Sequence, residues 1–298
     1  MRLTLTPMDA CVPAISGHAA ATAPVGLNEA VSQASTGMRA PLVLLHGWGL
    51  DRRVWQPLLP HLQACAPHLP VCLADLPGYH GSSYAGEDAQ AVAHALATQL
   101  PTGCTLAGWS LGGMLAQLAA VRSAAVRSAS GQPSSRIARL VLVGSTPSFV
   151  RREGFACAQQ PVLLSAFAKA VRALPASVLP RFATLSNQGD SRAKAINRQL
   201  LALTQPPLPD QAALLAGLDW LQTLDLRAQA ARITQPTLLI HGGQDGLMPL
   251  AAAQWLADHL PQAELLTLPD AAHAPFLHDP AQCAAALARW AGAMDVEA

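Results

Sequence analysis

The chain has 298 residues, 51% of them hydrophobic and only 12% charged, a length and balance that suit one large globular domain with an insertion and exclude disorder over most of its length. A formal net charge of +1 gives no global attraction to nucleic acid or to an anionic membrane surface. Six cysteines, at positions 11, 65, 72, 104, 157 and 283, show neither paired spacing nor C-x-x-C. They read as thiols in a reducing compartment, not as a disulfide framework or a metal site.

Residues 2–6 alternate apolar and polar side chains and predict an edge strand, and Pro7 and Asp9 interrupt the run before it could form a signal-peptide core. Residues 10–39 are rich in Ala, Ser, Thr, Gly and Pro without periodicity, so residues 1–40 read as a leader with an edge strand and a flexible segment. From Pro41 the pattern becomes strand, loop, helix, repeated. Leu42-Val43-Leu44-Leu45 is a continuous apolar run, as expected of a parallel strand covered on both faces, and it ends in the glycine turn His46-Gly47-Trp48-Gly49. Residues 54–62 carry Trp55, Leu58, Leu59 and Leu62 at helical spacing, while Pro57 and Pro60 limit any helix there to a short one. Val71-Cys72-Leu73-Ala74 is the next strand, residues 75–82 a loop, and residues 88–100 a helix. An apolar run then leads through Gly108-Trp109-Ser110-Leu111-Gly112-Gly113 into an alanine-rich helix at 114–121. Residues 122–136 read as a solvated loop and residues 139–144 as a further core strand. This alternation implies a mostly parallel sheet with helices on both faces.

Between Pro147 and about Leu226 the alternation stops. The stretch reads as helical with breaks at Pro161, Pro175, Pro180 and Pro206-Pro207, which divides the chain into a core of residues 41–148 plus 226–298 and a helical lid of residues 149–225. Residues 149–217 hold eight cations against three acids, a net of +5, which leaves −4 for the rest of the chain. A solvated helix face and a docking surface for an anionic substrate or partner both account for that polarity. Strands resume at Thr237-Leu238-Leu239-Ile240, followed by a loop with Asp245, and at Leu265-Leu266-Thr267-Leu268, followed by a loop with His273. No uncharged apolar stretch approaches the roughly 18 residues a membrane span needs, so a soluble, cytoplasmic protein is expected.

The chemistry centres on Gly108-x-Ser110-x-Gly112 between a strand and a helix. That pattern fits a turn so tight that the serine backbone is strained and its hydroxyl stands clear of the sheet. A serine hydroxyl attacks an ester only if a base takes its proton, and His273 is the candidate base. Asp245 is the candidate partner for the other ring nitrogen, fixing the tautomer and stabilising the imidazolium. Asp270 stands only three residues before His273 and Asp75 precedes the serine, which breaks the chain order Ser, Asp, His. The backbone N–H groups of Leu111 and Trp48 are the candidate oxyanion hole, and the Trp48 side chain is expected to wall an acyl pocket. His46 and His241, each before a glycine at a strand end, read as structural. No set of residues points to a metal.

With these residues in hand, the sequence resembles the α/β-hydrolase superfamily over residues 41–290. More narrowly it resembles the BioH family of pimeloyl-[acyl-carrier protein] methyl ester esterases. The narrower likeness rests on the His46-Gly47-Trp48-Gly49-Leu50 turn, Asp75-Leu76-Pro77-Gly78, the Trp109-Ser110-Leu111 elbow, Gly217-Leu218-x-x-Leu221-x-Thr223-x-Asp225-Leu226-Arg227, Asp245-Gly246-Leu247-x-Pro249 and Ala271-Ala272-His273-Ala274-Pro275-Phe276. The resemblance implies an α/β-hydrolase fold with an inserted helical lid and an enzyme that needs no cofactor. It implies hydrolysis of the methyl ester on a pimeloyl chain carried by acyl-carrier protein, in biotin synthesis, by a monomer that binds neither nucleic acid nor membrane. Arg181, Lys194 and Arg198 would face the acidic carrier, and Trp48, Leu111, Phe149, Phe182, Leu185 and Ser186 would bind the acyl chain. The segment before Pro41 and the serine-rich stretch at 128–135 are longer than the family pattern, and Ser177 stands where a lid cation is expected. A broad-specificity short-chain carboxylesterase on the same scaffold would share the serine, histidine and aspartate. A dehalogenase or epoxide hydrolase would instead carry aspartate at position 110.

Overall fold

Seven strands form one sheet in the computed structural model, which describes residues 1, 3–8, 40–123 and 135–292. They are β1 (Thr4–Pro7), β2 (Leu42–Leu45), β3 (Val71–Asp75), β4 (Cys104–Trp109), β5 (Ile137–Val143), β6 (Thr237–Gly242) and β7 (Ala263–Leu268), in the spatial order β1-β3-β2-β4-β5-β6-β7. Only β1 runs antiparallel, pairing with β3 from Thr4 opposite Asp75 to Pro7 opposite Cys72. The remaining pairs are parallel, which puts the carboxyl ends of β2, β4, β6 and β7 along one rim. Every residue of β2, β4 and β6 is buried, the physical reason these strands read as unbroken apolar runs.

Successive side chains of a strand point to opposite faces, and the core divides accordingly. Val43 and Leu45 pack on one side of the sheet with α2 (Ala89–Gln99) and α3 (Leu111–Ser123), while Leu42 and Leu44 pack on the other with α1 (Leu59–Cys65) and α10 (Pro280–Trp290). Asp88 starts α2 by accepting the Ala91 N–H at 2.7 Å. The helical reading of residues 54–62 resolves into a 3-10 segment, Arg52–Leu58, that contains Pro57 and runs directly into α1.

Four helices occupy the stretch where the alternation lapses: α4 (Pro161–Ala173), α5 (Pro175–Leu185), α6 (Ala193–Leu203) and α7 (Gln211–Thr223). Pro161 and Pro175 each open a helix, where a missing N–H costs nothing. Pro180 does not break the chain as expected. It lies inside α5, whose buried Val178, Leu179 and Ala183 on either side hold the helix together by packing. Beyond this helical stretch come α8 (Leu250–His259) and α9 (Pro275–His278), the latter a single turn ahead of α10. The expected leader at 10–39 and most of the loop at 122–136 lie outside the described residues. Among the described residues no helix is long and apolar enough to cross a membrane, and the five cysteines are free.

Candidate active site

The end of β4 delivers Ser110 with φ +57°, a left-handed conformation that costs a non-glycine residue energy and is held here by its surroundings. The flanking glycines make it possible. A Cβ on Gly108 would collide with the Gly112 backbone, and one on Gly112 with the His46 carbonyl at the end of β2.

The loops after β6 and β7 bring the other two side chains to the same rim. His273 Nε2 lies 2.9 Å from Ser110 Oγ, and His273 Nδ1 lies 2.8 Å from Asp245 Oδ2. The second Asp245 oxygen accepts the N–H groups of Leu247 and Met248, both at 2.9 Å, so the carboxylate is aimed by its own loop. With the acid on Nδ1, the ring carries its proton there and presents a lone pair to the serine hydroxyl. All three residues are at most 5% exposed. Of the competing acids, Asp75 is spent on Arg52, whose backbone N–H and guanidinium both donate to it, and Asp270 is exposed.

His46 and His241 hold loops. His46 Nε2 accepts the Leu76 N–H (2.9 Å) while Nδ1–H donates to the Gly47 carbonyl (2.8 Å), and burial lowers the pKa of the ring. Burial likewise lowers that of His241, whose Nε2–H donates to the Met248 carbonyl and so closes the acid loop. Tyr79 accepts the Gly49 N–H at 3.1 Å and braces the turn that carries Trp48. The backbone N–H groups of Trp48 and Leu111 have no acceptor among the described residues, leaving two donors beside Ser110. Such a pair can stabilise an oxyanion.

Above Ser110 lies a cavity of about 340 Å³. Its walls include Trp48, Phe149, Phe167 and Phe182, with leucines from α4, α5 and α7. Leu163 and Leu185, which are 46% and 41% exposed, mark its mouth. Gln159 and Gln188 are the polar lining residues besides Ser110, and no charged side chain lines the cavity among the described residues. The Gln159 carboxamide is spent on the carbonyls of Gly246 and Leu247. Trp48 is pinned by α7, its indole N–H donating to the Leu214 carbonyl at 2.8 Å.

Of the residues expected to bind the acyl chain, Trp48, Phe149, Phe182 and Leu185 line this cavity. Leu111 offers its backbone, its side chain being buried in the core beneath. Ser186 does not reach the cavity, because it is turned inward with its hydroxyl on the Ala183 carbonyl, and its own carbonyl accepts the His273 N–H. Arg181 on α5 and Lys194 and Arg198 on α6 are exposed and outside the cavity, and none forms an ion pair among the described residues. Sequence reasoning missed Leu164 and Phe167 on α4 and Leu218 and Leu221 on α7, although their three-residue spacing was a readable signal. It also missed that Trp109 donates its indole N–H to the His273 carbonyl at 2.8 Å.

The pattern of the alpha/beta hydrolase family matches residues 42–286. The chain is 42% identical over 252 residues to the pimeloyl-[acyl-carrier protein] methyl ester esterase of Aromatoleum aromaticum, covering 83% of this chain and 96% of that one. With the enzyme of the same name from Nitrosomonas europaea it shares 38% identity, covering 83% and 94%. Among solved structures it is similar to an esterase from Exiguobacterium antarcticum, with TM-score 0.73 at 21% identity over 86% of this chain and 93% of that one. A bromoperoxidase from Bacillus anthracis gives TM-score 0.71 at 21% identity, over 85% and 92%. At those identities the solved structures speak for the fold alone.

Proposed function

Because the chain belongs to the alpha/beta hydrolase family and, within it, to the pimeloyl-[acyl-carrier protein] methyl ester esterases, we propose that it hydrolyses the methyl ester of pimeloyl-[acyl-carrier protein] in biotin synthesis. One water is consumed, and methanol and the free distal carboxyl are the products. The observation that carries this reading is the hydrogen-bonded line from Asp245 through His273 to Ser110, opening on a narrow apolar cavity.

In the reaction, Ser110 Oγ attacks the ester carbonyl as His273 Nε2 takes its proton, and the carbonyl oxygen gains charge between the N–H groups of Trp48 and Leu111. Collapse of the tetrahedral intermediate breaks the bond to methoxide, which leaves as methanol with the proton from His273. Water then attacks the acyl-enzyme, giving its proton to His273, and the second collapse returns that proton to Ser110 Oγ. Asp245 orients the ring and stabilises the imidazolium in both halves. No cofactor enters this sequence.

The acyl chain lies among Trp48, Phe149, Phe182 and Leu185, and residues 149–225 act as a lid on the core of residues 41–148 and 226–298. The arm that joins chain to carrier leaves past Leu163 and Leu185. Outside, Arg181, Lys194 and Arg198 present unpaired charge to the acidic carrier. We take the enzyme to act as a cytoplasmic monomer.

Methanol release from the carrier-bound methyl ester, measured for the native chain and for Ser110→Ala, tests the proposal. Turnover that depends on the carrier and vanishes in Ser110→Ala is the expected result. Turnover of small esters alone would leave a broad short-chain carboxylesterase and remove the biotin-pathway reading.

A further inference from the structure

A second buried carboxylate sits behind the histidine. Asp190 belongs to residues 186–192, which join α5 to α6, and its side chain is fully buried. One oxygen accepts the Ala272 N–H at 2.9 Å. The other accepts the Arg192 N–H at 2.7 Å and faces His278 Nδ1 at 2.8 Å. Among the described residues no Lys or Arg pairs with this carboxylate, so its charge is met by two backbone amides and one imidazole.

These bonds form part of a larger clasp. The same segment accepts the His273 N–H on the Ser186 carbonyl (3.1 Å) and donates the Ser191 N–H to the Asp270 carbonyl (3.1 Å). The Arg192 guanidinium donates to the His278 carbonyl at 2.5 Å. Five hydrogen bonds therefore cross between the α5–α6 connection and residues 270–278, and two of them end on Asp190. On its other side the His273 carbonyl is held by Trp109, the neighbour of Ser110. The peptide that carries the histidine is thus fixed from behind by the α5–α6 connection and in front by the elbow.

We propose that Asp190 is a positioning residue for His273: its buried carboxylate clamps the peptide ahead of the histidine and joins the helices over the cavity to the base as one mechanical unit. This rests on the reading of His273 as the base. The clamp matters because proton transfer from Ser110 spans only 2.9 Å, and a shift of about 1 Å in such a contact costs on the order of 100-fold in rate. Removing the carboxylate leaves the Ala272 N–H and the His278 Nδ1 without an acceptor. The loop then drifts while the triad side chains remain.

The test compares Asp190→Ala and Asp190→Asn with the native enzyme in kcat and KM for p-nitrophenyl acetate and in the rate of Ser110 labelling by a fluorophosphonate, all well below each variant's melting temperature. Asp190→Ala should lose about 10- to 100-fold in kcat and in labelling rate, with KM within about twofold. Asp190→Asn, which keeps one acceptor, should recover part of that loss. The downfield proton resonance of His273 Nδ1–H should broaden or move in the same order. A folded Asp190→Ala with native kcat and native labelling overturns the proposal, as does a change confined to KM. Should Asp190→Ala fail to fold, Asp190→Asn decides by the same criterion: reduced kcat and labelling uphold the clamp, native values overturn it. His273→Ala separates the two readings, since native labelling in that variant removes the base assignment itself.

Discussion

Replacing Gly217 by alanine adds one methyl group at the point where α7 meets the Trp48 turn. An ideal Cβ there would lie 2.6 Å from Trp48 Cδ1, 3.2 Å from Trp48 Nε1 and 3.3 Å from Leu111 Cδ2. Carbon atoms rest about 3.5–4.0 Å apart, so the indole must retreat by about 1 Å or α7 must lift by as much. The indole has little room. It is 1% exposed, bonded to the Leu214 carbonyl and edge-on to Phe182 with centroids 4.9 Å apart. Overpacking of this kind costs about 1–3 kcal/mol, while the better helix propensity of alanine returns about 1 kcal/mol. The net loss of stability is therefore about 0–2 kcal/mol, a few degrees in melting temperature at most for a chain of this size. Activity should suffer more. A displaced Trp48 carries its backbone N–H with it, and losing one oxyanion donor outright costs about 3–4 kcal/mol, so partial loss predicts a 10- to 100-fold fall in kcat. Steady-state hydrolysis of p-nitrophenyl acetate together with a thermal melt reads both quantities. Native kcat in a folded Gly217→Ala would refute the reasoning, because it would mean that neither Trp48 nor its amide is held in place by α7. A change in KM alone would reduce Trp48 to a wall of the cavity.

Ser110→Ala should abolish ester turnover by four or more orders of magnitude with the melting temperature nearly unchanged, as methanol release and a melt would register. Reversing Arg181, Lys194 and Arg198 to glutamate should raise KM for the carrier-bound ester and leave KM for a small ester alone, with the difference shrinking as salt is added. Equal effects on both substrates would count against the carrier contact. Stability should fall between pH 7 and 5, measured as urea unfolding at each pH. His46 and His241 have folded pKa values lowered by burial, so below about 6.5 the unfolded chain binds protons that the folded one refuses. Each histidine contributes a slope of at most about 1.4 kcal/mol per pH unit, and His46→Gln should flatten the profile.

The three residues of the candidate triad were legible because each sits beyond a strand end, and parallel buried strands announce themselves as apolar runs. Leu42–Leu45, Cys104–Trp109 and Thr237–Gly242 are buried at every position, so their carboxyl ends could be placed from the apolar runs in the sequence. Two helices near the carboxyl terminus, Leu250–His259 between β6 and β7 and Pro280–Trp290 after β7, were not assigned from sequence, because their alanine-rich stretches carry few large apolar side chains to mark a period. The inward turn of Ser186 was out of reach as well, since a serine one residue beyond a helix can face either way until its carbonyl finds a partner. The same holds for Asp190 and His278, 88 residues apart and joined only when two loops meet. Local chemistry reveals which residues can react, whereas contacts between distant loops reveal which ones steady them.

The cavity over Ser110 is lined by carbon and two carboxamides, with no counter-charge for an anion among the described residues. An ester is neutral and gives up little hydration to enter. The product is a carboxylate formed at Ser110, beside His273 Nε2, and apart from the N–H groups of Trp48 and Leu111 the cavity walls offer it nothing in place of its water. Hydrolysis thus converts a neutral molecule that suits the cavity walls into a charged one that suits them less, which favours departure of the product. Its product should be a poor competitor for the site, and chains already unmasked should pass it by.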